Sequence, residues 1–261
     1  VALGPDVSMC FFDSIQLQAT GAVVYNWTDG TFLSNSTISN PYSLNTIDDT
    51  LIVIGEDANG CINSDTINVN INALPIVTAG NDIQICIGDS TQLNAGGAVN
   101  YTWNNSISLT DATIFNPMAF PNDTTSYVVI GEDANNCFNS DTIIVVVNPL
   151  PVVMAGNDVA ICFGDTIQLG GSGLGTISWL PNDSISNPSV LDPLVWPIQS
   201  TDYIMQIIDS NFCVNSDTVL VIVNALPLVA LGPDVSMCFF DSIQLQATGA
   251  FDYNCTDGTN L

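Results

Sequence analysis

Three kinds of side chain in this sequence could do chemistry: aspartates, cysteines, and the hydroxyls that follow aspartate. Asp-Ser/Thr followed by an aliphatic residue or Thr recurs at ten places, among them Asp13-Ser14-Ile15, Asp65-Thr66-Ile67 and Asp89-Ser90-Thr91. Eight cysteines in a chain this acidic imply disulfides and an oxidising compartment. Glu56 and Glu132 are the only glutamates among 26 acidic side chains, and Lys, Arg and His are absent, so the formal charge is −26.

That imbalance excludes most functions. Nucleic-acid binding needs cationic side chains to neutralise phosphates, and attraction to anionic membrane surfaces needs them too. Without His there is no Ser-His-Asp or Cys-His nucleophile, and zinc loses its commonest ligand. Paired carboxylates can hydrolyse glycosides unaided, but nothing sets two of these Asp apart from the rest. No enzyme is expected. A chain without Lys or Arg also offers trypsin-like proteases nothing to cut. Asp57-Ala58-Asn59-Gly60 and Asp133-Ala134-Asn135-Asn136 look faintly like calcium loops. They lack the remaining ligand positions and the closing Glu, so a hairpin turn is the better account. No cofactor is implied, with calcium at most a diffuse counterion.

These residues sit in a strict repeat. Gly4, Gly80, Gly156 and Gly232 are evenly spaced, and Cys10, Cys86, Cys162 and Cys238 keep the same step. So do Cys61, Cys137 and Cys213, and so do Trp27, Trp103 and Trp179, with Cys255 in the fourth Trp slot. The seams read Asn72-Ala73-Leu74-Pro75, Asn148-Pro149-Leu150-Pro151 and Asn224-Ala225-Leu226-Pro227, and Pro makes each linker short and stiff. The domains are placed at 1–74, 75–150, 151–226 and 227–261, the last a truncated start. Residues 1–22 and 229–250 are identical, so the genetic unit reads as a triplet within a longer array. The pattern is cut at both ends, which marks a window on a longer protein. No apolar run approaches the roughly 18 residues of a membrane helix, and no signal peptide opens the chain.

Strands must position these side chains. Ile67, Val69 and Ile71 alternate with Asn68, Asn70 and Asn72, a period-2 pattern with one wet face. Ile143, Val145, Val147 and Val219, Val221, Val223 repeat the phase. Gly, Asn, Asp and Pro clusters separate the segments, and no helix is expected. About seven short strands per repeat, with Trp27, Trp103 and Trp179 as core residues on the third, predict a two-sheet sandwich. The fold class is all-β, a linear array of immunoglobulin-like or PKD-like β-sandwiches. By the same parity Ser14 and Thr66 face water.

Runs such as Ala79-Gly80-Asn81-Asp82, Tyr101-Thr102-Trp103 and Asp141 through Pro151 resemble the PKD-like and immunoglobulin-like repeats of giant Bacteroidota surface proteins. Two positions depart from the pattern: Cys255 in the Trp slot, and Leu51 where the other repeats have Tyr127 and Tyr203. The resemblance implies a cell-surface adhesin, of the kind associated with gliding motility and type IX secretion, that projects binding regions from the cell as a filament or stalk. Its partners would be neighbouring repeats, other copies in a bundle, and extracellular surfaces or glycans reached through other regions. It further implies that the Asp-Ser/Thr motif is an O-glycosylation acceptor, with candidates at Ser14, Thr66, Ser90, Thr142, Thr166, Thr218 and Ser242. The alternative is a strand-entry motif, Asp starting a turn and a β-branched residue beginning the strand. Two rival functions remain: a calcium-dependent carbohydrate-binding array, and the stalk of a polysaccharide-degrading enzyme.

Two cysteine pairings are open. The default lies within each repeat: Cys10–Cys61, Cys86–Cys137 and Cys162–Cys213. If the strand order is immunoglobulin-like, however, these partners lie at opposite ends of a sandwich. A disulfide needs Cα atoms within about 7 Å. Pairing between neighbours is then favoured, Cys10 with Cys137 and Cys86 with Cys213. Cys61, Cys162 and Cys238 would pair outside the window.

Overall fold

The protein is described from a computed structural model covering residues 1–28 and 30–253; Cys255 lies outside the described residues. The chain folds as two compact units, Val1–Asn148 and Pro149–Leu261. The first contains two sandwiches and the second one, followed by a further strand pair.

In the first sandwich, alternating aliphatic and polar residues form Asp49–Glu56 and Ile62–Asn72, the antiparallel centre of a four-stranded sheet. Val24–Trp27 flanks one side and Val7–Cys10 the other. Val7–Cys10 runs parallel to Ile62–Asn72, with Val7 opposite Val69 and Cys10 opposite Asn72. Just before it, Ala2–Leu3 pairs antiparallel with Ala19–Thr20, away from that sheet. The first strand thus starts on one sheet and crosses to the other. Ile15–Gln16 pairs with Tyr42–Ser43 in the smaller sheet. Counting the broken first and second strands once each, Trp27 falls on the third.

One face of each long strand in the three sandwiches is dry. Leu17, Ala19, Trp27, Leu51, Val53, Ile67 and Val69 form the first core. The second gathers Leu93, Trp103, Tyr127, Val129, Ile143 and Val145, and the third Leu169, Trp179, Tyr203, Met205, Val219 and Val221. Each Trp is also fixed by its ring N–H. Trp27 donates to the Ile38 carbonyl at 2.9 Å, Trp103 to Ile114 at 3.0 Å and Trp179 to Val190 at 2.9 Å. A buried indole keeps its donor satisfied in this way.

The second sandwich repeats the plan with Asn100–Trp103, Thr125–Glu132, Phe138–Asn148 and parallel Ile83–Cys86. The third uses Thr176–Leu180, Thr201–Ile208, Val214–Asn224 and parallel Val159–Cys162. Beyond it, Ala230–Leu231 pairs with Ala247–Thr248, as Ala2–Leu3 pairs with Ala19–Thr20 in the identical sequence. Together these make an array of immunoglobulin-like β-sandwiches. Against the expectation of no helix, single 3₁₀ turns occur at Gly30–Phe32 and Ser106–Ser108, too short to carry a helical face.

The Tyr-to-Leu departure is accommodated locally. Tyr127 and Tyr203 are fully buried, and the Tyr127 hydroxyl lies 2.7 Å from Ser108 Oγ. Leu51 is buried without a hydroxyl. In that sandwich a polar chain runs instead from Ser43 Oγ to Asn45 (2.8 Å) and from Asn45 to Asp49 (2.8 Å).

Candidate functional site

The distinctive site is a joint inside the first unit. Cys10 ends Val7–Cys10, and the parallel register sets it beside Asn72; the next residue, Phe11, donates its N–H to the Asn72 carbonyl at 2.9 Å. Cys137 ends a hairpin in the second sandwich. Asp133 Oδ1 accepts the N–H groups of Asn135 (2.8 Å) and Cys137 (2.9 Å), and the Asp133 N–H donates to the Cys137 carbonyl. The loop is closed by its own carboxylate, and Cys137 is presented fully buried. Cys10 and Cys137 are disulfide-bonded, Cα to Cα 5.5 Å, across a sequence separation of 127. An open cleft of about 410 Å³ flanks the bond, lined by Ser8, Asp13, Ser14 and Asn72 of the first repeat and Asn135 of the second.

The pairings within a repeat fail for a reason visible in the register. Cys10 lies at the Asn72 end of Ile62–Asn72, and Cys61 precedes its other end. That strand has 11 residues, so the two cysteines are separated by ~35 Å of strand. Cys10–Cys61 and Cys86–Cys137 are therefore excluded. Cys162–Cys213 is excluded because Cys162 is a free thiol. Cys61, Cys162 and Cys238 are free and exposed. Cys86 and Cys213 are both disulfide-bonded.

The carboxylates that looked like calcium ligands close turns. Asp57 Oδ1 accepts the N–H groups of Asn59 (2.8 Å) and Cys61 (2.9 Å), bonds that hold its carboxyl below the usual range, Cys61 contributing most. Asp209 Oδ1 accepts the N–H groups of Asn211 and Cys213, each at 2.8 Å. Among the described residues no three His, Cys, Asp or Glu side chains converge, and no helix is long and apolar enough to cross a membrane.

A second constellation escaped the sequence reading. Asp65 Oδ2 accepts the Leu3 N–H at 2.7 Å, Asp141 that of Ala79 at 2.8 Å and Asp217 that of Ala155 at 2.8 Å. In the reverse direction Asp6 accepts from Asn68 N–H, Asp82 from Ile144 and Asp158 from Leu220, each at 2.9 Å. Two carboxylates thus clasp the crossing first strand to the last strand of each sandwich. Asp65, Asp141 and Asp217 are held below the usual carboxyl range, first by these long-range N–H groups and then by Thr66, Thr142 and Thr218. Asp6 is lowered by the Asn68 side chain and then its N–H. The available signal was the constant offset between the two Asp columns.

The hydroxyl candidates Ser14, Thr66, Ser90, Thr142, Thr166, Thr218 and Ser242 are all exposed. They form two groups. Ser14, Ser90, Thr166 and Ser242 follow turns in which Asp13, Asp89, Asp165 and Asp241 donate their N–H to the cysteine three residues earlier. Thr66, Thr142 and Thr218 lie on the outer face of the long last strand, opposite Ile52, Val128 and Ile204.

No family model matches the chain, and no curated protein is significantly similar to it. Solved structures similar to it include tandem immunoglobulin arrays. Extracellular domains 3–5 of Drosophila OTK align over 85% of this chain and 94% of that one, with 9% identity and a TM-score of 0.34. The titin I9–I11 tandem aligns over 87% and 98%, with 11% identity and a TM-score of 0.34. The N-terminal eight immunoglobulin domains of DSCAM align over 95% of this chain and 44% of that one, with 14% identity and a TM-score of 0.32. No functional conclusion follows from likeness at this level.

Proposed function

We propose that this chain is a structural segment of a long extracellular filament or stalk that projects adhesive regions from a bacterial surface, of the Bacteroidota adhesin type. The observation that carries the reading is the Cys10–Cys137 bond, which fastens one repeat to the next across a Leu-Pro linker. A freely hinged binding array has no use for such a staple, whereas a stalk must keep its joints. Domain bounds follow the Leu-Pro seams. High negative charge, with O-linked sugar on Ser14, Thr66, Ser90, Thr142, Thr166, Thr218 and Ser242, keeps neighbouring stalks from associating sideways.

Electron microscopy of the intact assembly on the native cell surface tests this. At roughly 35–40 Å per domain from strand rise, the triplet should give an axial period of ~110 Å. A compact particle, or a fibre with an unrelated period, would count against the stalk. Intact mass of the secreted protein tests glycosylation: the bare polypeptide mass would remove the sugar from the reading.

A further inference from the structure

We infer that the Cys10–Cys137 disulfide is a tension bypass, carrying axial load past residues 11–136 so that both sandwiches of the first unit stay folded under force. This rests on the load-bearing reading above and adds the route the load takes.

Without the bond, tension entering at Val1 would pass in series through every residue to Asn148. The weak points would be the contacts between first and last strand. Val7–Cys10 lies parallel to Ile62–Asn72 over four residue pairs, and Ile83–Cys86 parallel to Phe138–Asn148 over four. Pulling the two ends of such a sandwich drags the parallel partners in opposite directions. The non-covalent patch then shears, and the chain behind it pays out.

The bond changes the path. Cys10 is the last residue of Val7–Cys10, and Cys137 immediately precedes Phe138–Asn148. Load reaching Cys10 crosses the sulfurs and continues along Phe138 to Asn148. Each loaded strand is then pulled at both of its own ends and applies no net shear to its neighbour. Ile62–Asn72, Asp49–Glu56, Val24–Trp27 and the core residues they carry hang beside the covalent path. The loaded strands have little slack, because strand rise is already close to the maximum reach per residue. The Asp clasps add to this by pinning the same strands: Leu3 N–H to Asp65 and Asn68 N–H to Asp6 in the first sandwich, Ile144 N–H to Asp82 in the second.

The test is single-molecule pulling of the full chain through non-cysteine handles at residues 1 and 148. Oxidised protein should extend by only about 22 residues, ~80 Å at ~3.5 Å per residue, without unfolding steps. Adding a dithiol reductant to the same folded molecule should lengthen the path about sevenfold, to ~500 Å, with unfolding steps appearing. Cys10→Ser should behave like reduced protein; the reductant arm reads the bypass even if that variant folds poorly. Equal long extensions before and after reduction, or large unfolding steps in the oxidised chain, would overturn the inference. Absence of the protein from any surface fibre would instead defeat the stalk reading and leave the extension difference intact.

Discussion

Asp65 Oδ2 accepts the Leu3 N–H at 2.7 Å, tying the last strand of the first sandwich to a strand 62 positions earlier. The geometry recurs at Asp141 with Ala79 and at Asp217 with Ala155. The motif that reads as a sugar acceptor therefore has a second role. At Asp65, Asp141 and Asp217 the Asp is a clasp, whatever is attached to the Thr beside it.

These clasps predict an acid dependence of defined sign. Asp65, Asp141 and Asp217 titrate lower folded than unfolded, so the unfolded chain binds more protons and stability rises with pH. The contribution is full above about pH 5, clear of the unfolded Asp value near ~3.9, and is lost as pH falls through the folded values. Thermal melting should be flat from pH 5 to 8 and decline below pH 4. The triple change Asp65→Asn, Asp141→Asn, Asp217→Asn should lower the melting temperature at pH 7 and flatten that decline. An unchanged acid limb would mean that other carboxylates dominate.

Peptic mapping under non-reducing conditions should recover a peptide joining Cys10 to Cys137. Pepsin is required because trypsin has no site in the sequence. Removing this bond by Cys10→Ser should cost the first unit up to about 5 kcal/mol in the chain-entropy model for so long a loop. Urea unfolding with and without the substitution measures it. A Cys10–Cys61 peptide would refute the parallel register of Val7–Cys10.

Trp103→Phe shrinks a buried core side chain and removes the donor to the Ile114 carbonyl. A loss of about 2–3 kcal/mol is expected, read as faster amide exchange across Phe138–Asn148. The matching change at Trp27 or Trp179 should act in its own sandwich alone.

Two glycines of the second repeat separate backbone strain from crowding. Gly88 has φ +92 with open space around it, whereas at Gly97, φ +87, a Cβ would overlap the Ile76 carbonyl. Gly88→Ala should cost about 1 kcal/mol, the penalty for left-handed backbone. Gly97→Ala should cost more and disturb the entry of the repeat. Phe12 occupies the position equivalent to Gly88 at φ 70, 77% exposed, with its ring centroid 4.0 Å from that of Phe11. Gly88→Phe should therefore still fold. Similar exchange behaviour for the two alanine variants would show that crowding at Gly97 is relieved elsewhere.

Sequence alone determined whatever depends on neighbours along the chain. The period-2 phase of Ile67, Val69 and Ile71 separates a dry face from a wet one because successive side chains alternate, and the same parity leaves Thr66 exposed. The common register of Trp27, Trp103 and Trp179 marks one core position copied three times. Tertiary structure decided what depends on which distant strands meet. The parallel pairing of Val7–Cys10 with Ile62–Asn72 separates Cys10 from Cys61, and the second repeat's Asp133 hairpin brings Cys137 to Cys10 instead. The clasp from Asp65 to Leu3 exists because the first strand crosses between sheets. Local periodicity is blind to all three, since strand order and contact between repeats are set by packing over more than sixty residues, beyond the reach of any pattern in adjacent side chains.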